Sequence, residues 1–450
     1  MATEVMSPRG LEPVAQEARQ LGFWGFAVLW GDLGIGLLVL LAGSFLVPAL
    51  SLPQALGAIL VGSVVGVALL ALSGIVGSQT GLPTMVCLRP ALGRGGSYVA
   101  TGINVVQLLG WTVFELVIMG HAANAVVRGL TGFDAAWLWT VVFGGAVIAL
   151  GLWGPVAVVR QWLTKFALGA VAVTTAWLTW RVVTVADLGA LWAVPAAGGL
   201  SFWGAVDIVI AMPISWLPLV SDYSRFARRP APAFWGTAAG YLVANVWFYT
   251  LGALILLSVR TSYDPKAFVE AIALLAGPLI LLVLLADETD EAWADLYSCA
   301  VSIQNALPGA SARALVGALG AVSVLLALVF DVTRYETFLL LIGAVFVPLF
   351  GVLAADYFVV RRGRYDPGAL LGATGAGGVV PGVRWQGMLA WVLGVGAYLW
   401  IAGRLEPFGL PGVPTVGASL PSLAVAVAAY LAVARAGGDG SAHRVSRPLG

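Results

Sequence analysis

The stretch from Leu281 to Asn305, LLVLLADETDEAWADLYSCAVSIQN, starts as an apolar run and then carries Asp287, Glu288, Asp290, Glu291 and Asp295. An ionised carboxylate in hydrocarbon is costly, so acids in a membrane segment face a bundle interior or a watery cavity. On a helix, Glu288, Glu291, Asp295, Ser298 and Ser302 fall at three- and four-residue spacing and make one polar stripe. Asp287 and Asp290 lie beside the stripe, and Gln304 and Asn305 close its inner end. Such a stripe can accept hydrogen bonds from a substrate, hold a cation or carry a proton. The plainer alternative is a helix that stops near Ala286 and a solvated acidic loop. Against it, no Gly or Pro follows until Pro308, and the loop would upset the charge pattern described below.

Three other stretches carry unusual chemistry. Asp32 sits inside LGFWGFAVLWGDLGIGLLVLLAG, between Gly31, Gly34 and Gly36. A discontinuous helix there would offer freed carbonyls and a carboxylate to a cation, as in many secondary transporters. The plainer reading is a glycine-rich packing face with Asp32 in a local hydrogen bond. In QLLGWTVFELVIMGH, Trp111 and Glu115 are four apart and share a helical face. Together they offer a stacking surface and an acceptor, which suits a flat heterocycle with N–H donors. Packing alone also accounts for a Trp in a membrane helix. In FWGAVDIVIAMPISWLPLVSDYSRF, Pro213 and Pro218 flank Trp216. Proline frees a carbonyl one turn back, and such breaks are tolerated at membrane depth where they line a cavity or are buried in protein.

The elements that must position these residues are membrane spans. The 450-residue chain is 60% hydrophobic and 10% charged, with mean hydropathy +0.95. A soluble domain has roughly 25% charged residues. About twelve apolar runs can cross a bilayer: 21–47, 54–78, 96–127, 134–153, 162–182, 201–221, 232–258, 268–306, 312–329, 335–360, 384–402 and 416–435. The eighth is long and reads as two pieces, a re-entrant helix before Gly277-Pro278 and a span after it. With the N-terminus inside, 17 of the 23 Lys and Arg residues fall inside; six (Arg128, Arg181, Arg260, Lys266, Arg334 and Arg404) fall outside. The first apolar run is too long for a cleaved signal peptide and is expected to be a retained span. The tail from Gly437 is expected to be disordered.

Several residues call for no special chemistry. Cys87 and Cys299 are far apart in apolar surroundings and read as packing thiols. His121 and His443 cannot form a metal site alone. Asp207, near the outer end of span six, and Asp356, at the inner end of span ten, are expected to be solvated. No basic patch or nucleic-acid motif is present.

At DYSRF (Asp222 to Phe226) the chain resembles the nucleobase–cation symporter-1 family, the purine–cytosine permeases. Pro348, Gly351 and Ala355-Asp356-Tyr357-Phe358-Val359 followed by Arg361-Arg362 resemble that family's close of span ten. The DETDEAWADLYSCAVSIQN stretch looks most similar to the branch carrying hydroxymethylpyrimidine. The likeness runs from about Leu21 to Arg364. It implies an all-α integral membrane fold with a five-plus-five inverted repeat of the LeuT type, about 21–182 and 201–360, and broken helices one and six. A short cytoplasmic segment, 1–20, would precede this core, and two further spans, 384–435, would follow it. The resemblance also implies stacking of the base on Trp111, a hydrogen bond from the base to Glu115, and contacts from Trp216 or the Met212-Pro213 backbone. Sodium, where the family uses it, sits between span-one carbonyls and span-eight hydroxyls; here Asp287, Glu288 and Thr289 stand near those positions.

The resulting expectation is cation-coupled uptake of an aminopyrimidine such as hydroxymethylpyrimidine or cytosine, by alternating access. Purine, allantoin, hydantoin or thiamine permeases of the same family are the alternatives. Trp111, Glu115, Met212, Pro213, Trp216, Glu288, Glu291 and Asp295 are the expected substrate residues. Asp32, Gly31, Gly34, Ile35, Asp287 and Thr289 are the expected cation residues, for Na+ or H+, with no organic cofactor. The protein is expected to be monomeric, in the cytoplasmic (inner) membrane, with both termini cytoplasmic. Two other classes fit less well. Asp287-x-x-Asp290 resembles one magnesium motif of membrane prenyltransferases, but the second motif and basic residues for phosphates are missing. A channel would not need two broken helices facing one another.

Overall fold

A computed structural model describes residues 11–153, 168–261, 264–371, 382–413 and 416–436. The expected tail and the start of span five lie outside these residues. Among the described residues the chain is helical, with one isolated bridge, Leu21 to Ala227. The first half comprises α1 (Phe23–Asp32), α2 (Leu37–Ser44), α3 (Leu52–Thr80), α4 (Thr84–Cys87), α5 (Arg89–Thr131), α6 (Ala136–Trp153), α7 (Leu168–Val185) and α8 (Leu188–Ala193). The second half has α9 (Phe202–Ser215), α10 (Val220–Ser224), α11 (Pro230–Val259), α12 (Pro265–Ala276), α13 (Pro278–Ala306), α14 (Ala312–Ala327), α15 (Tyr335–Ala354), α16 (Pro367–Leu371), α17 (Trp385–Ile401) and α18 (Ser419–Ala436). A helix stands at each of the twelve expected spans. Among the described residues five stretches are long and apolar enough to cross a membrane by length and composition, and α1 with α2 forms a sixth, bent by 63°.

The breaks fall where the sequence weakens the helix. Gly34 and Gly36 lie in the gap between α1 and α2, and Gly36 is extended, with φ −177°. Helix α9 contains Pro213 and stops at Ser215, and a 3-10 turn (Leu217–Leu219) containing Pro218 leads to α10. Span eight is two helices, as expected, separated at Gly277, whose φ of +96° favours glycine. Helix α15 ends in a π-helical turn, Ala355–Val360.

Glycine also sets how close helices come. Gly236 and Gly240 of α11 are four apart and receive α1, the small-residue pattern of membrane helix pairs. A methyl group on Gly240 would run into the Ala27 carbonyl and lie 2.8 Å from the Gly31 nitrogen. Gly62 and Gly66 of α3 likewise receive Val209 and Pro213 of α9.

Two acids expected to be solvated are not. Asp207 is buried, and its carboxylate accepts from the amides of Ala418 (2.6 Å) and Ser419 (3.0 Å). It satisfies the head of α18, whose orphan donors have no partner within the helix. Asp356 is fully buried, accepting from the hydroxyls of Tyr365 and Tyr430 (both 2.6 Å) and from Arg361 Nε (3.1 Å). Span position alone suggested water; the last helix covers both. At the C-terminal end of α13, Asn305 Oδ1 accepts from Arg89 Nη2 (2.8 Å), while its amide donates to Ser97 and Thr101 of α5.

The close α1–α11 contact yields a paired test. Gly240→Ala should destabilise the protein by about 1–3 kcal/mol, the usual cost of overpacking. Gly129→Ala, on an exposed helix position with nothing within 4 Å, should be neutral or stabilise by up to about 1 kcal/mol. Melting temperatures of the two variants in one detergent check this; equal shifts would contradict it.

Candidate functional site

The breaks in spans one and six face the α5–α13 pair around one cavity. Its wall is formed by Leu33, Leu38 and Val39 at the first break, Met212, Ser215 and Trp216 at the second, Trp111 and Glu115 of α5, and Glu291 and Asp295 of α13. The cavity they enclose is small, about 20 Å³, room for about one water molecule. Trp111 is held edge-on by Tyr335 and Phe338 of α15, with centroids 5.7 and 5.3 Å away. Trp216 is held by Trp30 of α1 at 5.9 Å. Both indoles are therefore fixed by neighbours before any ligand arrives.

Three buried polar atoms at this cavity have no partner: Glu115 Oε2, Glu291 Oε1 and Trp111 Nε1. Leaving such atoms unmet costs roughly 1–3 kcal/mol each, so their presence together marks a site built for an occupant. The carbonyl of Ser215, freed by the proline break, accepts from Gln107 Nε2 at 2.7 Å. Gln107 belongs to the same four-residue ladder as Trp111 and Glu115, a signal present in the sequence. Asn104 Nδ2 donates to Ser302 Oγ (2.9 Å) and links α5 to α13 toward the C-terminal end of α13.

The remaining acids gather at the first break. Glu288 Oε2 accepts from the Leu37 amide at 2.7 Å and caps the head of α2. Asp32 stands within electrostatic reach of Asp287 and Asp290. All seven acids, Asp32, Glu115, Asp287, Glu288, Asp290, Glu291 and Asp295, are buried, and none joins an ion pair among the described residues. Nor are three His, Cys, Asp or Glu side chains grouped to hold a metal ion among those residues.

The expected site residues divide accordingly. Trp111, Glu115, Met212, Trp216, Glu291 and Asp295 meet at the cavity. Pro213 packs instead against Gly66 of α3, and Glu288 serves the Leu37 amide instead of the cavity wall. Asp32 and Asp287 come together, joined by Asp290. Gly31 and Gly34 face Gly240, Tyr241 and Ala244 of α11, where their role is close packing. Ile35 donates its amide to the Asp32 carbonyl (2.9 Å), and Thr289 donates its hydroxyl to Leu285 of its own helix (2.8 Å). The DYSRF motif ties α10 to α4: Asp222 Oδ1 accepts from the Thr84 amide (3.0 Å), and the Ser221 amide donates to Thr84 Oγ1 (2.9 Å). Leu33, Leu38, Val39 and Ser215 were not legible as cavity residues because they are ordinary span residues until the breaks expose them.

Comparison with known proteins agrees with this architecture. The family model described as permease for cytosine/purines, uracil, thiamine, allantoin matches residues 13–418. The hydantoin permease of Microbacterium maritypicum is 24% identical over 402 residues, 85% of this chain and 82% of that protein. The cytosine permease of Escherichia coli K12 is 26% identical over 332 residues, 73% of this chain and 74% of its own length. The solved structure of Mhp1, a nucleobase-cation-symport-1 family transporter in a closed conformation with bromovinylhydantoin bound, superposes with a TM-score of 0.79 at 22% identity, covering 96% of this chain and 97% of that one. These relatives are transporters, not enzymes, which removes the prenyltransferase alternative. The chain belongs to the nucleobase–cation symporter family of cytosine, purine, uracil, thiamine and allantoin permeases, and is a multi-pass membrane transporter.

Proposed function

We propose that the chain imports a flat aminopyrimidine, such as cytosine or hydroxymethylpyrimidine, coupled to a cation and working by alternating access. The observation that carries this reading is the set of unmet groups between two fixed tryptophans: two carboxylate oxygens and one indole N–H. An ionised carboxylate accepts but cannot donate. An aminopyrimidine edge supplies N–H donors for Glu115 and Glu291, and a ring nitrogen or carbonyl accepts from Trp111 Nε1. Trp111 and Trp216 supply aromatic surface for the ring. Relatives named for hydantoin, cytosine and allantoin support a small nitrogen heterocycle.

The cation, Na+ or H+, belongs with the acids gathered at the first break, where Glu288 and Glu291 meet Gly36 and Asp32, Asp287 and Asp290 lie nearby. Seven buried carboxylates without a basic partner are tolerable only if cations or protons offset them. The two broken spans are the elements expected to move. The charge pattern of the loops favours a cytoplasmic-membrane protein with both termini inside, and the transport unit is proposed to be a monomer.

Thermal shift of purified protein with cytosine, hydroxymethylpyrimidine, uracil, hypoxanthine, hydantoin and thiamine tests the substrate. A ligand at a hundredfold its Kd stabilises by about 2.7 kcal/mol. The aminopyrimidines should raise the melting temperature and uracil should not; the reverse order would refute the edge argument, and no shift with any of them would refute the substrate class. Repeating the series with and without sodium at two pH values separates the ions. Trp111→Ala should weaken binding by roughly 1–3 kcal/mol, the usual cost of losing one stacking partner, about tenfold or more in Kd. Glu115→Gln should weaken it to a comparable degree. Glu115→Gln should not lower the melting temperature of the empty protein much, because it removes a charge the empty site leaves unmet, whereas Trp111→Ala should lower it, because it also removes packing against Tyr335 and Phe338.

A further inference from the structure

Two carboxylates converge on one glycine at the break of span one. A side chain on Gly36 would begin 3.0 and 3.2 Å from the two Glu291 oxygens and 3.2 Å from Glu288 Oε2. Glu288 and Glu291 are 0% and 7% exposed, so water does not screen them. Glu288 uses Oε2 for the Leu37 amide, while Glu288 Oε1 and Glu291 Oε1 have no partner. The titratable groups facing the pair are Glu115 from α5, Tyr241 from α11, Tyr335 from α15, and Asp287 and Asp295 from α13 itself. None is basic. Two ionised carboxylates in one dry site repel, and a shared proton is the common resolution.

We propose that Glu288 and Glu291 are the coupling pair: they share one proton, and that proton permits α2 to close on α13 at Gly36. This rests on the reading of the cavity as a cation-coupled transport site and assigns the cation and its carriers. The step is a protonation only. A proton from water on the loading side bonds to one Glu291 oxygen and leaves the other to accept from the substrate edge, Glu288 stays ionised to cap Leu37, and the proton returns to water on the release side when the contact opens. A closed state that needs the proton binds it more tightly than the open state, and substrate that favours closure raises proton affinity by the same factor. Gly36 is part of the device, because any side chain there would displace both carboxylates.

The first test needs no substrate. Infrared spectra at neutral pH read the carbonyl stretch of protonated carboxyl groups in the wild type, Glu288→Gln, Glu291→Gln and the double variant. A glutamine at 288 keeps an oxygen for the Leu37 amide, so the fold should persist, which size exclusion and melting confirm. Each single variant should lose the intensity of one protonated carboxyl, and the double variant should lose no more than either single. Unchanged intensity in both singles, or loss of two protons in the double, would overturn the proposal. The second test uses radiolabelled cytosine in proteoliposomes. Glu288→Gln, at a residue that serves the Leu37 amide and not the cavity wall, should keep exchange at equal concentrations and lose accumulation above equilibrium under an inward proton gradient; retained proton-driven accumulation would overturn the pair's role. Wild-type protein that binds no cytosine yet shows the infrared pattern would sink the substrate reading and leave the shared proton standing.

Discussion

The amide of Leu37 opens the second half of a broken helix, and the Glu288 carboxylate meets it at 2.7 Å. Much else at the centre follows from that bond. A helix head offers donors that the helix itself cannot satisfy, and at membrane depth water is not there to do so. A carboxylate is a strong answer, with both hydrogen bond and helix dipole in its favour. But it brings a negative charge into a core that already holds six other buried acids. The site therefore trades one unmet group for a charge problem, and a transporter can use that problem.

The surrounding packing makes the trade possible. Small residues on α11 let α1 approach closely, and glycines on α3 do the same for α9. The two broken spans are thereby held against long intact helices, so that their loose ends meet at α5 and α13. The tryptophans at the cavity are braced edge-on by residues of α1 and α15. The result is an aromatic surround, braced by its neighbours, beside an acidic break.

The fold was readable from the sequence to a good degree. Apolar runs of bilayer length, glycines and prolines within two of them, and a basic bias in alternate loops led to the span order and to the breaks. Gly277-Pro278 even marked the divide in span eight. Six cavity residues, among them Trp111, Glu115 and Glu291, were readable because polar or aromatic side chains at four-residue spacing are unusual in lipid. What the sequence hid was direction. Glu288 and Glu291 share a helical stripe, yet one turns to a backbone amide and the other to the cavity. Gly31 and Gly34 were expected at a cation site, and the side a Cβ would take at each packs against α11. Asp207 and Asp356 looked solvated because span position says nothing of which later helix covers an end; α18 covers both.

The central claim is that charge in this site is balanced by protons taken up as substrate closes it. Calorimetric titration of cytosine into purified protein, in two buffers of different ionisation enthalpy and without sodium, measures this directly. A buffer-dependent heat corresponding to about one proton taken up per cytosine bound is the expected result, since binding and protonation are linked through the closed state. A heat independent of buffer, with binding that appears only when sodium is added, would contradict the account.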